Sequence, residues 1–145
     1  MRLNKKIRIK EIKHRLIELD KYLSEIEEFI PSNEEDFIYS GIKKHGIYKL
    51  VESVIEEIIK ICSMINSDLK LGIPSDEDSI ITNIEYNKII SKEFSKKIIG
   101  MKSFRNILVH WYGIINDRLA FQNITENLEY FEKFKEKILN FLKEN

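Results

Sequence analysis

The chain has 145 residues and a formal net charge of zero at pH 7, with 33% charged and 43% hydrophobic residues. This composition excludes a disordered chain, the length fits one domain over residues 1–145, and a single cysteine excludes an internal disulfide bond. No apolar run is long enough to cross a bilayer, and the basic start lacks the apolar core of a signal peptide. We therefore expect a cytoplasmic protein without a membrane segment.

The first predicted helix carries one apolar stripe, because apolar residues recur at alternating steps of three and four from Ile9 to Ile30. Pro31 ends it. Residues 1–15 hold seven Lys or Arg against one acid, whereas residues 18–36 hold eight acids against one lysine. A basic end of this kind can serve a phosphate backbone, although a solvated helix face is the commoner meaning.

The second predicted helix begins near Ile38, or after Gly46, and runs to about Leu69. The segment PSNEEDF before it is a connection. Cys62 lies in an apolar helical stretch, which favours a buried structural thiol over a nucleophile.

An acidic loop with Asp76, Glu77 and Asp78 precedes a short predicted helix from about Ile80 to Ile90. Consecutive acids can suggest a cation, but they lack the ordered spacing of a calcium loop. We expect them to be solvated.

Two further helices complete the chain. Ser91 is a candidate N-cap for a helix over about 92–113, the segment NDRLAFQN is a link, and Asn123 with Glu126 forms a capping box for the last helix. The sequence therefore predicts an all-α fold, an antiparallel bundle of four main helices plus a short fifth.

The stretch FRNILVHWY in the fourth helix combines an apolar stripe with three reactive side chains. At about 100° per residue, Arg105 and Tyr112 stack almost on one line, and His110 lies about 140° from Arg105. These polar residues border the face opposite the predicted core. That outward face also holds Asn106 and Val109, with Ile98 one turn further back. The predicted core stripe comprises Phe104, Ile107, Leu108, Trp111 and Ile115.

Arg105 and His110 point too far apart to hold one small group from a single straight helix. Two copies packed about a twofold axis can bring His110 of one chain near Arg105 of the other. Histidine can move a proton to or from an RNA hydroxyl, arginine can hold the phosphate, and Asn106 can orient one of them. This chemistry needs no metal or cofactor, and no histidine has metal-ligand spacing. From these residues alone, a surface arginine and a satisfied histidine are commoner.

The motif Arg, four residues, His, one residue, Tyr resembles the HEPN superfamily, in particular its HepT-like toxin branch, whose pattern is R-N-x-L-V-H-x-Y. The likeness covers most of the chain, including the stretches VIEEIIKIC, GIP and IISKEF. Relatives often carry an aspartate four positions after the tyrosine, where this chain has Asn116 followed by Asp117. The matching residues are Arg105, Asn106, Leu108, Val109, His110 and Tyr112.

This resemblance implies an α-helical homodimer with metal-independent ribonuclease activity on an RNA substrate, with Arg105 and His110 as the catalytic pair. It also implies a small MNT-like nucleotidyltransferase antitoxin that transfers AMP to Tyr112. Glu56 lies where relatives often have an acid facing the motif helix, so it can pair with Arg105 or orient His110. A surface role for Glu56 and a half-buried structural role for Tyr112 are the alternatives.

Two other functions remain open from the sequence. The first is a non-catalytic HEPN-like dimer that docks and assists a nucleotidyltransferase partner. The second is a structural helical dimer without nucleic acid.

Overall fold

The computed structural model describes residues 7–110 and 115–145, with the backbone alone for residues 107–110. These residues are about 80% helical and contain no strand, so the predicted all-α fold is confirmed. No helix within the described ranges is long and apolar enough to span a bilayer. The helices are α1 (Ile9–Phe29), α2 (Glu34–Ile38), α3 (Ile42–Asp68), α4 (Glu77–Tyr86), α5 (Lys92–His110) and α6 (Asp117–Lys143).

The short helix α2 lies where the sequence predicted a connection. Its N-cap is Asn33, whose side chain accepts a hydrogen bond of 2.9 Å from the backbone N–H of Asp36. Three acids in its first turn suit the positive end of the helix dipole. Phe37 is fully buried and packs its ring against Tyr48 of α3 and Phe121 of α6. This one aromatic anchor holds the turn in place.

Helix α1 follows its prediction closely and ends at Phe29, two residues before Pro31. Two arginines of its basic end form ion pairs with another helix. Arg8 Nε donates to Asp68 Oδ1 at 2.9 Å and Arg15 Nη1 donates to Glu57 Oε1 at 3.3 Å. Both acids belong to α3, so these two arginines fasten α1 to α3. The buried stripe of α1 comprises Ile12, Leu16, Leu19, Leu23 and Ile26.

Helix α3 is the central helix of the bundle, packed by α1 on one side and by α4 and α5 on another. It begins at Ile42, between the two predicted starts, after Gly41 adopts a positive φ of 62°. The prediction for Cys62 is confirmed, because its side chain is fully buried. Burial raises the pKa of this thiol to about 12.

The start of α6 differs from its prediction. The helix begins at Asp117, and Asn116 is the N-cap, with Oδ1 accepting a hydrogen bond of 3.2 Å from Leu119 N–H. The predicted capping pair at Asn123 therefore lies inside the helix. The apolar face decided the outcome, since Ala120, Phe121 and Ile124 are all buried in the first two turns.

Candidate active site on α5 and α4

Helix α5 is fixed at its start by a cap and along its length by an apolar stripe. Ser91 Oγ accepts a hydrogen bond of 3.1 Å from Phe94 N–H, which confirms Ser91 as the N-cap. Phe94, Ile98 and Met101 are buried at steps of four and three. Arg105 is the next step of four on the same line.

The predicted orientation of α5 is wrong for Ile98, which the sequence placed on the outward face but which is 1% exposed. Phe104, which the sequence placed in the core, is partly buried against it. The prediction of the core face relied on apolar residues near the C-terminal end of the helix. Packing is instead set by the first half, where Phe94 contacts Phe134 of α6. Arg105 consequently faces the protein, and its side chain is 14% exposed.

The guanidinium of Arg105 is held by two acceptor side chains. Its Nη2 donates to Glu77 Oε1 at 2.9 Å, and its Nη1 lies 3.5 Å from Glu77 Oε2. The same Nη2 donates to Asn106 Oδ1 at 3.2 Å. Asn106 therefore contacts Arg105 directly, and the carboxylate partner of Arg105 is Glu77 rather than the predicted Glu56.

A second ion pair lies beside the first. Lys102, three residues before Arg105, pairs with Asp78 in the first turn of α4. That turn is fixed by a capping box, in which Asp76 accepts from Ser79 N–H at 2.8 Å and Ser79 accepts from Asp76 N–H at 3.1 Å. Two of the acids predicted to be solvated, Glu77 and Asp78, thus fasten α4 to the motif helix.

The other predicted site residues are Glu56, His110 and Tyr112, and the structure describes the side chain of Glu56 alone. Glu56 is half-buried on α3 and makes no ion pair with a side chain that the structure describes. His110 is the last residue of α5, but its side chain lies outside the described residues, and so does the whole of Tyr112. The predicted contact between Glu56 and His110 stays a prediction.

The chain after these residues is anchored at Asp117. Lys44 Nζ donates to Asp117 Oδ2 at 2.8 Å, and the Tyr48 hydroxyl donates to Asp117 Oδ1 at 2.5 Å. Partial burial raises the pKa of Asp117, but the hydrogen bonds from Lys44 and Tyr48 and the nearby positive charge outweigh it. The net result is a lowered pKa for Asp117. Burial and the Asp117 carboxylate raise the pKa of Tyr48, whose hydroxyl therefore stays protonated.

The sequence did not indicate Glu77, Lys44 or Tyr48 as members of this region. A signal for Glu77 existed, because Asp76 with Ser79 three residues later has the spacing of a helix cap and places Glu77 in the first turn. Among the described residues, no cluster of His, Cys, Asp or Glu is arranged to hold a metal ion. The described part of the site offers one guanidinium, suited to binding an anion such as a phosphate.

Residues 19–138 match the sequence model of the family described as ribonuclease HepT-like. This chain belongs to the HepT-like family. No curated protein matches this HepT-like protein.

Solved structures share the fold of this HepT-like protein. A tri-AMPylated HEPN toxin from Shewanella oneidensis, in complex with an MNT antitoxin, has a TM-score of 0.82 and 23% identity over 89% of this chain and 96% of that one. A toxin–antitoxin structure with AMP-PNP has a TM-score of 0.82 and 22% identity, covering 89% of this chain and 97% of that one. YutE from Bacillus subtilis, a cytosolic protein of unknown function, has a TM-score of 0.83 and 14% identity, covering 96% of this chain and 93% of that one.

Proposed function

We propose that this HepT-like protein is a ribonuclease toxin whose active site combines Arg105 of one copy with His110 of a second copy. One observation carries the proposal. In a chain of the HepT-like family, Arg105 lies at 14% exposure on α5, where Asn106 Oδ1 accepts a hydrogen bond of 3.2 Å from its guanidinium, and His110 ends the same helix. A preorganised guanidinium of this kind can stabilise the charge that develops on a phosphate during cleavage.

The proposed reaction is the cleavage of an RNA phosphodiester by its own 2′-hydroxyl. The 2′-oxygen attacks the adjacent phosphorus and loses its proton, the bond from phosphorus to the 5′-oxygen breaks, and that oxygen gains a proton. His110 moves one of these protons, since an imidazole gains and loses protons near neutral pH. Arg105 holds the phosphate oxygens, and Asn106, which contacts Arg105 at 3.2 Å, orients the guanidinium. No metal takes part in this scheme.

The homodimer is part of the proposed enzyme. His110 follows Arg105 by five residues, which separates the two positions by about 140° around a straight helix. A second copy can supply the missing partner from its own α5, so that each dimer contains two sites. The exposed side of α5 leaves room for such packing, because Gly100 and Ser103 are exposed and a Cβ added at Gly100 would meet nothing within 4 Å.

We infer that an MNT-like nucleotidyltransferase is the antitoxin and that it transfers AMP to Tyr112. The Shewanella structure supports this, since that HEPN toxin is AMPylated and bound to an MNT antitoxin. Tyr112 follows Arg105 by seven residues in the sequence motif. An added AMP would bring bulk and negative charge close to Arg105, where the RNA phosphate has to bind.

The test of the ribonuclease function expresses the wild-type chain, His110→Ala and His14→Ala separately. His14 is exposed on α1 and serves as the matched control. The wild type and His14→Ala are expected to arrest growth and to cut RNA in vitro with EDTA present, whereas His110→Ala does neither. If the wild type is harmless and the purified dimer leaves RNA intact, the non-catalytic docking dimer is the better account.

The test of the modification weighs the chain after co-expression with the nucleotidyltransferase encoded beside it. Added mass in steps of one AMP is expected for the wild type and for Tyr86→Phe, a control at an exposed tyrosine, but not for Tyr112→Phe. An unmodified chain in a stable inactive complex would instead indicate inhibition by occlusion.

A further inference from the structure

We propose that Glu77 is an internal competitor of the RNA phosphate for Arg105, so that RNA has to displace this carboxylate before Arg105 can hold it. The inference rests on the proposed function and adds a residue that sets how readily RNA binds. It concerns the ion pair between α4 and α5, not the catalytic proton transfer.

The hydrogen bonds of Arg105 leave no free edge for a phosphate. A guanidinium can grip an anion with paired bonds along two edges, one formed by Nη1 and Nη2 and one by Nη2 and Nε. Glu77 occupies the first edge, with its oxygens 2.9 Å from Nη2 and 3.5 Å from Nη1. Asn106 Oδ1 takes a further bond from Nη2, the nitrogen that both edges share. A two-pronged phosphate contact therefore requires one acceptor to leave.

Both acceptors of Arg105 reach solvent, but only Glu77 carries a charge that opposes an incoming phosphate. The side chain of Arg105 is 14% exposed, while that of Glu77 is 41% exposed. Glu77 is therefore the more accessible member of the pair, and a phosphate that reaches Arg105 meets a carboxylate already bound there. A carboxylate and a phosphate on the same guanidinium repel each other, and Glu77 can be solvated where it stands, so its release costs little.

The position of Glu77 is built into the fold. It lies in the first turn of α4, where the helix dipole favours a negative charge. The adjacent pair of Lys102 with Asp78 and the cap at Asp76 keep this turn against α5. Because the backbone of Glu77 is held on both sides, its carboxylate returns to Arg105 whenever no phosphate is bound.

The experiment measures binding of a 2′-O-methyl RNA oligonucleotide, which cannot be cleaved, to purified full-length chains. Glu77→Gln keeps the shape of the side chain and removes its charge, and it is expected to bind roughly two- to fivefold more tightly, the range that an exposed ion pair supports. Glu85→Gln makes the same charge change at the other end of α4 and is expected to bind like the wild type. Glu77→Asp keeps the charge with a shorter reach and should fall between them.

The deciding comparison repeats Glu77→Gln in an Arg105→Ala background, where the gain is expected to disappear. No gain from Glu77→Gln, or an equal gain without Arg105, overturns the inference. Thermal unfolding of each variant checks that it is folded. If Glu77→Gln does not fold, Glu77→Asp gives a second measurement of the same competition.

Cleavage of unmodified RNA is scored separately. There, Glu77→Gln is expected to lower KM by the same factor with kcat nearly unchanged. If the binding pattern holds and no variant cuts RNA, the competition stands and the ribonuclease proposal fails. If the wild type cuts RNA and Glu77→Gln binds no better, the ribonuclease proposal stands and the competition by Glu77 fails.

Discussion

The Tyr48 hydroxyl donates a hydrogen bond of 2.5 Å to Asp117 Oδ1, joining α3 to the first turn of α6. Lys44 adds a bond of 2.8 Å to the other oxygen, and its ammonium also donates to the backbone carbonyl of Ile38 at the end of α2. Three helices thus meet close to one carboxylate, two residues after the described chain resumes at residue 115. This contact fixes the start of α6 against α2 and α3.

We predict that Asp117→Asn lowers the free energy of unfolding by about 1–3 kcal/mol, because Lys44 and Tyr48 lose a charged acceptor. Urea denaturation of the variant and the wild type measures the difference. Glu126→Gln, at an exposed position on the same helix, is the control and should change stability by less than about 0.5 kcal/mol. Equal stabilities of Asp117→Asn and the wild type would show that the contact contributes nothing.

The same carboxylate predicts a dependence on pH. The folded pKa of Asp117 lies below the ordinary value of 3.8, so the unfolded chain takes up this proton first as the pH falls. The contribution of Asp117 is therefore fully present above pH 3.8 and is lost as the pH falls through the folded pKa. Denaturation curves from neutral to acid pH should show the gap between the wild type and Asp117→Asn narrowing. A constant gap would contradict the lowered pKa.

A buried amide network holds the turn between α3 and α4. Asn66 Nδ2 donates to the carbonyl of Gly72 at 2.9 Å, and Asn83 Nδ2 donates to Asn66 Oδ1 at 3.0 Å. We predict that Asn66→Ala costs about 1–3 kcal/mol of stability, since the buried Asn66 amide is removed and the Gly72 carbonyl and Asn83 amide lose their partner. Ser67→Ala, at the exposed neighbour, is the control, and chemical denaturation is the measurement.

Gly72 tests the geometry of the same turn. Its φ of 141° is accessible to glycine, and an added Cβ would lie 3.2 Å from Asn83 Nδ2. Gly72→Ala should therefore be destabilised, whereas Gly46→Ala, in a helix with open space around it, should be stabilised by about 0.5–1 kcal/mol. Thermal unfolding of both variants measures the contrast, and a stabilised Gly72→Ala would contradict the described turn.

Cys62 provides a probe of the core. Full burial and a pKa of about 12 keep the thiol protonated and shielded, so we predict no reaction with a thiol reagent in the native state and complete reaction in denaturant. Ser67→Cys adds an exposed thiol as a positive control. Rapid native labelling of Cys62 in the wild type would contradict its buried position.

Local patterns predicted those parts of the fold where the pattern and the packing agree. The stripe that Pro31 ends determined α1, and the cap at Ser91 determined the start of α5. The spacing of Asn123 and Glu126 suggested a helix start, but the buried face of α6 continued two turns further towards Asn116. A local cap competes with long-range burial, and burial contributes more free energy.

The candidate site was predictable only in part. The sequence indicated Arg105 and Asn106 through their motif, and the structure joins them by a hydrogen bond. The spacing of Asp76 and Ser79 could place Glu77 in the first turn of α4, but not pair it with Arg105, because that pairing depends on how α4 packs against α5. The orientation of α5 was mispredicted because the helix carries apolar residues on more than one side, so that its period does not identify a unique core face.

The most direct test of the central claim mixes two inactive chains, Arg105→Ala and His110→Ala, after unfolding and refolding them together. If Arg105 and His110 come from different copies, half of the dimers are mixed and each has one complete site of two. The mixture should then recover about a quarter of the wild-type RNA cleavage. A mixture that forms mixed dimers and stays inactive, beside a wild-type sample that refolds to full activity, would contradict the shared site.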